Sequence, residues 1–210
     1  MTSTDHVVFV VDDDYRIREA LSELLLSQGV HALTFRSAVE YIECPKPDLP
    51  ACLILDVQLP DISGLDLQKQ LANKPHPPIV FITGYGDIPS SVGAIKAGAV
   101  DFLTKPLRQL ELVEAIHAAL ALDRKARKER HDLTRLQQCY SRLTPREREV
   151  LPLVISGLLN KQAAAELGIS EITFQIHRGK VMRKMEATSL AELVRIAGKL
   201  QIPTPLYSAS

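Results

Sequence analysis

Hydrophobic residues in the first half of the chain form short unbroken runs that stop abruptly at polar residues. The runs have the length of a β-strand and are rich in valine, isoleucine and leucine, a pattern typical of strands buried on both faces of a parallel sheet. In chain order, residues 7–11 run into Asp12-Asp13-Asp14, residues 53–55 into Asp56, residues 79–82 into Thr83, and residues 100–104 into Lys105-Pro106. Ligands of open α/β sheets bind at the carboxyl ends of such strands, so these polar residues are candidates for one site.

Helical patterns alternate with these strands. Residues 15–28 place Ile17, Leu21 and Leu25 on one helical face, and Gly29 closes that helix. Residues 31–35 predict a further strand, and residues 37–43, 65–72 and 88–97 predict helices, with a fifth helix opening at Leu107. Five strands that alternate with five helices predict an α/β fold with a doubly wound, five-stranded parallel sheet.

The second half of the chain is helical by pattern. Residues 107–144 contain neither glycine nor proline, so they form either one long helix or a fifth helix followed by a separate linker helix. Residues 144–200 predict an all-α unit of four helices, which opens with a capping box at Thr144 and Glu147. Asn160 and Ser170 are the predicted caps of two short helices joined by a turn at Gly168, which is the pattern of a helix-turn-helix.

Charge is distributed unevenly along a chain whose formal net charge is zero. Residues 1–121 carry nine basic and 16 acidic side chains, a net of −7, whereas residues 122–143 have a net of +4 and residues 144–210 a net of +3. Such asymmetry suggests different partners for the two halves. Three cysteines without metal-ligand spacing argue against a disulfide or zinc framework. With no basic leader and no apolar run near the roughly 20 residues that span a bilayer, we expect a cytoplasmic protein without a membrane segment.

The acidic residues at the strand ends need a partner, because crowded carboxylates are costly unless a divalent cation or a proton relieves them. Asp12-Asp13, Asp56, Thr83 and Lys105-Pro106, in this order and at these intervals, resemble the receiver domain of bacterial two-component response regulators over residues 5–121. The resemblance implies that Asp56 accepts a phosphoryl group from a sensor histidine kinase. It also implies a cis peptide bond between Lys105 and Pro106.

The resemblance assigns further residues to this site. Asp12, Asp13, Asp56 and the main-chain carbonyl of Gln58 would hold Mg²⁺, and Thr83 and Lys105 would contact the phosphoryl group. Phe102 would be a switch aromatic that responds to Thr83, although a core aromatic is an equally simple interpretation. Gln58 and Tyr85 would flank the path of the attacking water and tune the lifetime of the phosphorylated state.

Residues 143–200 resemble the LuxR-type helix-turn-helix of the FixJ/NarL family. The resemblance rests on the run from Leu143 to Leu151, on Asn160-Lys161 and on the pattern from Ile169 to Met185. At about 100° per residue, Phe174, Val181 and Met185 share the core face of the second short helix. The candidate DNA contacts are Lys161, Thr173, Gln175, Ile176, Gly179, Lys180 and Arg183. For Lys161, Thr173 and Asn160, ordinary helix capping is an equal alternative.

Together these patterns predict a receiver domain (1–121), a helical linker (122–142) and a DNA-binding domain (143–205). We expect a transcriptional regulator that depends on phosphorylation and is not an enzyme. It would activate transcription, bind double-stranded promoter DNA as a homodimer and work with RNA polymerase. Similarity to regulators of styrene breakdown suggests genes of aromatic catabolism as targets. A regulator that uses its receiver only for dimerisation is the alternative. A stand-alone aspartyl-phosphate hydrolase is disfavoured, since Gln58 stands where such enzymes usually have a second aspartate.

Overall fold

The computed structural model describes residues 5–84 and 88–203, and Tyr85 lies outside them. The chain divides into two compact units, Met1–Arg127 and Lys128–Ser210. The predicted bounds of the receiver domain, the linker and the DNA-binding domain stay predictions.

The first unit is the predicted doubly wound α/β fold. Its five parallel strands lie in the order β2-β1-β3-β4-β5. The strands and helices alternate along the chain as β1 (Val7–Val11), α1 (Tyr15–Ser27), β2 (His31–Phe35), α2 (Ala38–Glu43), β3 (Ala51–Asp56), α3 (Gly64–Leu71), β4 (Ile79–Thr83), α4 (Ile88–Lys96) and β5 (Asp101–Thr104), followed by α5 (Gln109–Ser141).

Side chains that alternate along the strands build one core on each face of this sheet. Val8 and Val10 of β1 pack with residues of α1 and α5, whereas Val7, Phe9 and Val11 pack with residues of α2, α3 and α4. All five positions are buried, because a parallel sheet is covered by helices on both faces. The continuous apolar runs in the sequence therefore correspond to buried central strands.

Local capping explains where the helices of this unit begin. The side chains of Asp14, Ser37 and Ser63 accept main-chain N–H groups in the first turns of α1, α2 and α3. Gly29 and Gly98 follow α1 and α4 with φ values of 72° and 96°, which glycine adopts without steric cost.

Helix α5 settles the question that the sequence left open at residues 107–144, since it is one helix of 33 residues. Its first part contributes Leu112 and Ile116 to the core of the first unit, and its last part contributes Leu136 to the core of the second. The charged run at residues 124–130 is a solvated face, with the exception of Arg127. That side chain is half-buried and pairs with Asp123.

The second unit contains the four predicted helices. They are α6 (Pro145–Ile155), α7 (Asn160–Glu166), α8 (Glu171–Lys184) and α9 (Leu190–Lys199). Thr144 and Glu147 form the predicted capping box, and Ser170 caps α8. The expectation for Asn160 is wrong: Leu159 is the N-cap, and Asn160 is the first helical residue. Its side chain instead accepts a hydrogen bond from Arg178 in α8 at 2.7 Å.

The core of the second unit is formed where α6 meets α7, α8 and α9. Phe174, Val181 and Met185 are buried there, as the helical periodicity predicts. Within residues 5–84 and 88–203, no helix has both the length and the hydropathy needed to cross a lipid bilayer.

Candidate functional site

The carboxyl ends of β1 and β3 bring three carboxylates together. The two strands are hydrogen-bonded neighbours, so Asp12, which follows β1, lies beside Asp56, the last residue of β3. Asp13 is exposed next to them, and one carboxylate oxygen from each of the three residues lies within 4.8 Å of the others. The two buried members, Asp12 and Asp56, are only 0% and 4% exposed. The crowding that the sequence predicts is therefore present in the fold.

Lys105 supplies a positive charge between the two buried carboxylates. Its ammonium group donates to Asp12 Oδ2 at 2.7 Å and to Asp56 Oδ2 at 2.6 Å. The main-chain N–H of Lys105 donates to the carbonyl oxygen of Thr83 at 2.7 Å, which ties the segment after β5 to the end of β4. The predicted cis peptide bond between Lys105 and Pro106 is confirmed.

Burial and the neighbouring charges shift the pKa values of this cluster in opposite directions. Burial raises the pKa of Asp12 above that of an ordinary carboxyl, and the hydrogen bond from Lys105 offsets this only in part. Burial alone would lower the pKa of Lys105, but its hydrogen bonds to Asp12 and Asp56 outweigh it and raise the pKa. The lysine therefore stays charged at neutral pH and neutralises part of the site.

The loop after β3 is fitted closely to Asp56. The N–H of Gln58 donates to Asp56 Oδ1 at 3.0 Å, while the Gln58 side chain is exposed. At the far end of the loop, the N–H of Gly64 donates to the carbonyl oxygen of Val57 at 2.9 Å. A Cβ atom at Gly64 would overlap the carbonyl oxygen of Asp56. Glycine is thus required here by the close approach of two backbone segments.

The donor set fits a hard divalent cation. Mg²⁺ prefers oxygen ligands and is usually held by one or two carboxylates together with water. Asp12, Asp13 and Asp56 offer carboxylate oxygens within mutual reach, as such an ion requires. The exposure of Asp13 leaves one side of the cluster open to solvent.

Of the two predicted switch residues, Thr83 lies at this end of the sheet, whereas Phe102 lies two residues before the end of β5 and pairs with Phe81 of β4. Thr83 is fully buried at the end of β4. Phe102 of β5 is partly buried, and its ring lies 6.0 Å from that of Phe81 in the core that faces α2, α3 and α4. The structure thus places Phe102 beside β4, and Tyr85 lies outside the described residues.

Five of the predicted DNA contacts fall on one exposed face of α8. The side chains of Gln175, Ile176, Lys180 and Arg183 are exposed, as is Gly179. The exposed fraction of Ile176 is 54%, and that of Ile172 on the same face is 72%. Exposed isoleucines on an otherwise polar face have no packing role, which favours a binding function for the face.

Two further candidates lie near helix N-termini. Lys161 is exposed in the first turn of α7. Thr173 is half-buried in the first turn of α8, where its hydroxyl lies 2.8 Å from Ser170 Oγ. This contact favours the capping interpretation for Thr173.

Comparison with known families matches both units. The response regulator receiver domain model matches residues 8–117, and the model of bacterial regulatory proteins of the luxR family matches residues 141–197. The chain is a LuxR-type response regulator. It is thus a transcriptional regulator of the two-component type, and its domains imply a histidine kinase partner and DNA binding.

Relatives are similar to this response regulator over nearly its whole length. Nodulation protein W of Bradyrhizobium diazoefficiens is 50% identical, with 95% of this chain and 88% of that protein covered. Response regulator protein TodT of Pseudomonas putida is 46% identical, with 96% and 89% covered. The solved structure of response regulator StyR is 46% identical with a TM-score of 0.83, with 93% of this chain and 99% of that chain covered. Full-length FixJ from B. japonicum is 36% identical with a TM-score of 0.57, with 96% and 100% covered.

Sequence reasoning missed several contacts that support these sites. Asp61 accepts N–H groups of Val39 and Ala38 at 2.8 and 3.4 Å and so ties the loop after Asp56 to α2. The bond between Arg178 and Asn160 joins the two helices of the helix-turn-helix. None of these pairs has a sequence signature, because their members lie 18 to 23 residues apart.

Proposed function

We propose that the regulator is switched by transfer of a phosphoryl group from a histidine of its sensor kinase to Asp56. A carboxylate oxygen of Asp56 forms the new P–O bond while the P–N bond breaks, and the electron pair leaves with the histidine nitrogen. The observation that carries this proposal is Lys105, whose ammonium group lies between Asp56 and Asp12. Phosphoryl transfer depends mainly on positioning and charge neutralisation, which this arrangement supplies.

The same geometry supports a role for Mg²⁺. We propose that Asp12, Asp13, Asp56 and the carbonyl of Gln58 hold the ion. When bound, it would neutralise charge on the transferred group. The need is physical, since the phosphoryl group carries about −1.5 to −2 charges in place of the single negative charge of the carboxylate, in a half of the chain that already has a net charge of −7.

We propose that Thr83 and Phe102 respond to the phosphorylation of Asp56. The hydroxyl of Thr83 would donate to the new phosphoryl group, and Phe102 would move in response. To reverse a two-state equilibrium fully, the modification must stabilise the active state by about 5.5 kcal/mol relative to the inactive one. We therefore expect the phosphoryl group to be required, with Mg²⁺ alone giving incomplete activation.

The output would be a dimer that binds promoter DNA and activates transcription. At a net charge of +3 the last domain is only modestly basic, so a single copy would bind DNA weakly and pairing on a two-fold site would compensate. Gln175 suits an adenine edge and Ile176 a thymine methyl, while Lys180 and Arg183 suit phosphate or guanine. RNA polymerase as a partner and styrene-catabolism genes as targets are part of the same proposal.

Incubation of the full chain with acetyl phosphate and Mg²⁺ tests the first step. We expect the mass of one phosphoryl group on Asp56 and none in Asp56→Asn. The matched control is Asp66→Asn, which removes an exposed carboxylate of α3 and should leave phosphorylation unchanged. An unmodified wild-type protein would contradict the proposal and favour a regulator that uses its receiver only for dimerisation.

The DNA face has a separate test. Ile176→Glu places a charge at the centre of the exposed face of α8 and should abolish binding to a duplex selected by the phosphorylated wild-type protein. Leu133→Glu, at an exposed leucine of α5, makes the same chemical change elsewhere and should bind normally. Retained binding by Ile176→Glu would refute the assignment of this face. Run-off transcription from the selected duplex, with and without phosphodonor, distinguishes activation from repression.

A further inference from the structure

A buried carboxylate lies in the part of α5 that follows the receiver match. Asp123 is only 2% exposed, six residues beyond residue 117, where the family match ends. Its Oδ2 atom accepts the main-chain N–H of Ala51 at 2.8 Å and the Nε–H of Arg127 at 2.7 Å. Arg127 also pairs with Asp48, just before β3. We call Asp123, Arg127 and the Ala51 N–H the Asp123 anchor.

The anchor joins two elements with different roles. Ala51 is the first residue of β3, and Asp56 is the last. Helix α5 continues beyond Asp123 through Ser141 and contributes side chains to the core of the second unit. The anchor thus fixes the outgoing helix to the strand that carries the proposed phosphoacceptor.

The stability of the fold alone does not explain why a charged side chain is buried at Asp123. A buried ion pair costs desolvation, and apolar residues of similar volume often stabilise a protein as well or better. The part of α5 before Asp123 already packs through Ala115, Ile116 and Ala119. Apolar packing is non-directional and tolerates small rotations, whereas the hydrogen bond from the Ala51 N–H to Asp123 and the pairing of Arg127 with Asp48 fix the register of the helix against the start of β3.

We propose that the Asp123 anchor is a positioning device that transmits the state of the receiver into α5. This inference rests on the proposed phosphorylation of Asp56. With the anchor intact, α5 is held in one register against β3 as it leaves the receiver. Without it, Asp56 would be phosphorylated as in the wild type, but phosphorylation would increase the affinity for DNA less.

Three full-length variants test the anchor. Asp123→Asn keeps the shape of the side chain but removes its charge, and Arg127→Gln removes the cation. Arg127→Lys is a milder change that keeps the charge and loses the planar fork, in case the others fold poorly. Arg124→Gln is the matched control, because it makes the same charge change on the same helix at a side chain that is 48% exposed.

The measurements are mass gain on Asp56 with acetyl phosphate and Mg²⁺, and affinity for a duplex selected by the phosphorylated wild-type protein. We expect wild-type mass gain in every variant. The increase in DNA affinity on phosphorylation should fall about fivefold or more in Asp123→Asn and Arg127→Gln, the lower end of typical coupling between sites. It should fall less in Arg127→Lys and not at all in Arg124→Gln.

An unchanged response to phosphodonor in Asp123→Asn and Arg127→Gln would overturn the inference and leave the anchor a purely structural contact. Failure of the wild-type protein to gain mass would instead count against the proposed function. In that case, amide hydrogen exchange over residues 118–130 tests directly whether the Asp123 anchor holds α5 in place. Faster exchange in Asp123→Asn than in Arg124→Gln supports the anchor, and equal exchange overturns it.

Discussion

Gly64→Ala is the smallest change that tests how the backbone positions Asp56. Gly64 opens α3, and a Cβ atom there would overlap the carbonyl oxygen of Asp56. It would also lie 3.1 Å from the carbonyl carbon of Asp56 and 3.2 Å from Leu55 Cγ. The first atom that it meets belongs to the main chain, so no side-chain rotation can make room.

The expected cost follows from this overlap. One of the two backbone segments must move by about 1 Å, and overpacking of this kind costs about 1–3 kcal/mol. For a domain of this size, that corresponds to a fall of about 3–15 °C in the Tm of the receiver unit. A displacement of about 1 Å in the nucleophile can also slow a positioned reaction by about tenfold to hundredfold.

Two assays read these effects separately: calorimetry gives the Tm, and mass spectrometry gives the rate at which acetyl phosphate modifies Asp56. Gly93→Ala in α4 is the control, since a Cβ there has nothing within 4 Å and alanine favours a helix by about 1 kcal/mol. If Gly64→Ala matched the wild type in both Tm and rate, the close approach of the two backbones would not position Asp56.

Three further changes test the second unit. Burial raises the pKa of Glu147, but the hydrogen bonds from Lys184 and the capping box outweigh it and lower the pKa. The charged form therefore contributes stability above the ordinary carboxyl pKa of about 4.3, and this is lost as pH falls through the lowered value. Glu147→Gln should lose less thermal stability than the wild type between about pH 6 and pH 3. Arg178→Met removes the bond to Asn160 and should lower the free energy of unfolding in urea by about 1 kcal/mol. Phe174→Ala empties a fully buried position and should lower it by about 3–5 kcal/mol.

Exposed positions on the same helices serve as controls. Glu149→Gln should keep the pH profile of the wild type, and Lys180→Met and Ile172→Ala should unfold like the wild type. A wild-type pH profile in Glu147→Gln would mean that its ion pair with Lys184 adds no stability. An unchanged free energy of unfolding in Arg178→Met or Phe174→Ala would refute the corresponding contact.

The fold was predictable because its main signals are local. The continuous apolar runs of β1 and β3 are typical of strands covered on both faces of a sheet, and capping residues such as Asp14 and Ser37 act within a few residues of themselves. Where the local pattern was compatible with more than one structure, the prediction was either wrong or left two alternatives open. Asn160 is a good cap by type, but tertiary packing uses its side chain to bind Arg178 instead. A stretch without glycine or proline was compatible with one helix or two, and the structure has a single helix, α5.

The candidate site was predictable as a set of residues and not as a set of contacts. Each strand end showed a polar residue, and parallel strands place such ends at one edge. That Lys105 donates to both Asp12 and Asp56, and that Asp123 accepts from Ala51, depends on which strands are neighbours and which helix covers them. Pairs of this kind are separated by 49 to 93 residues, beyond the reach of any local pattern.

By itself, then, the sequence determined the two kinds of fold, the order of the elements and the candidate site residues, since periodicity, capping and strand-end polarity act over a few residues. The tertiary structure decided the rest. It set the strand order that joins Asp12 to Asp56, the close approach that requires Gly64, and the buried anchor at Asp123. These depend on distances in space, which are specified only when the whole core is packed at once.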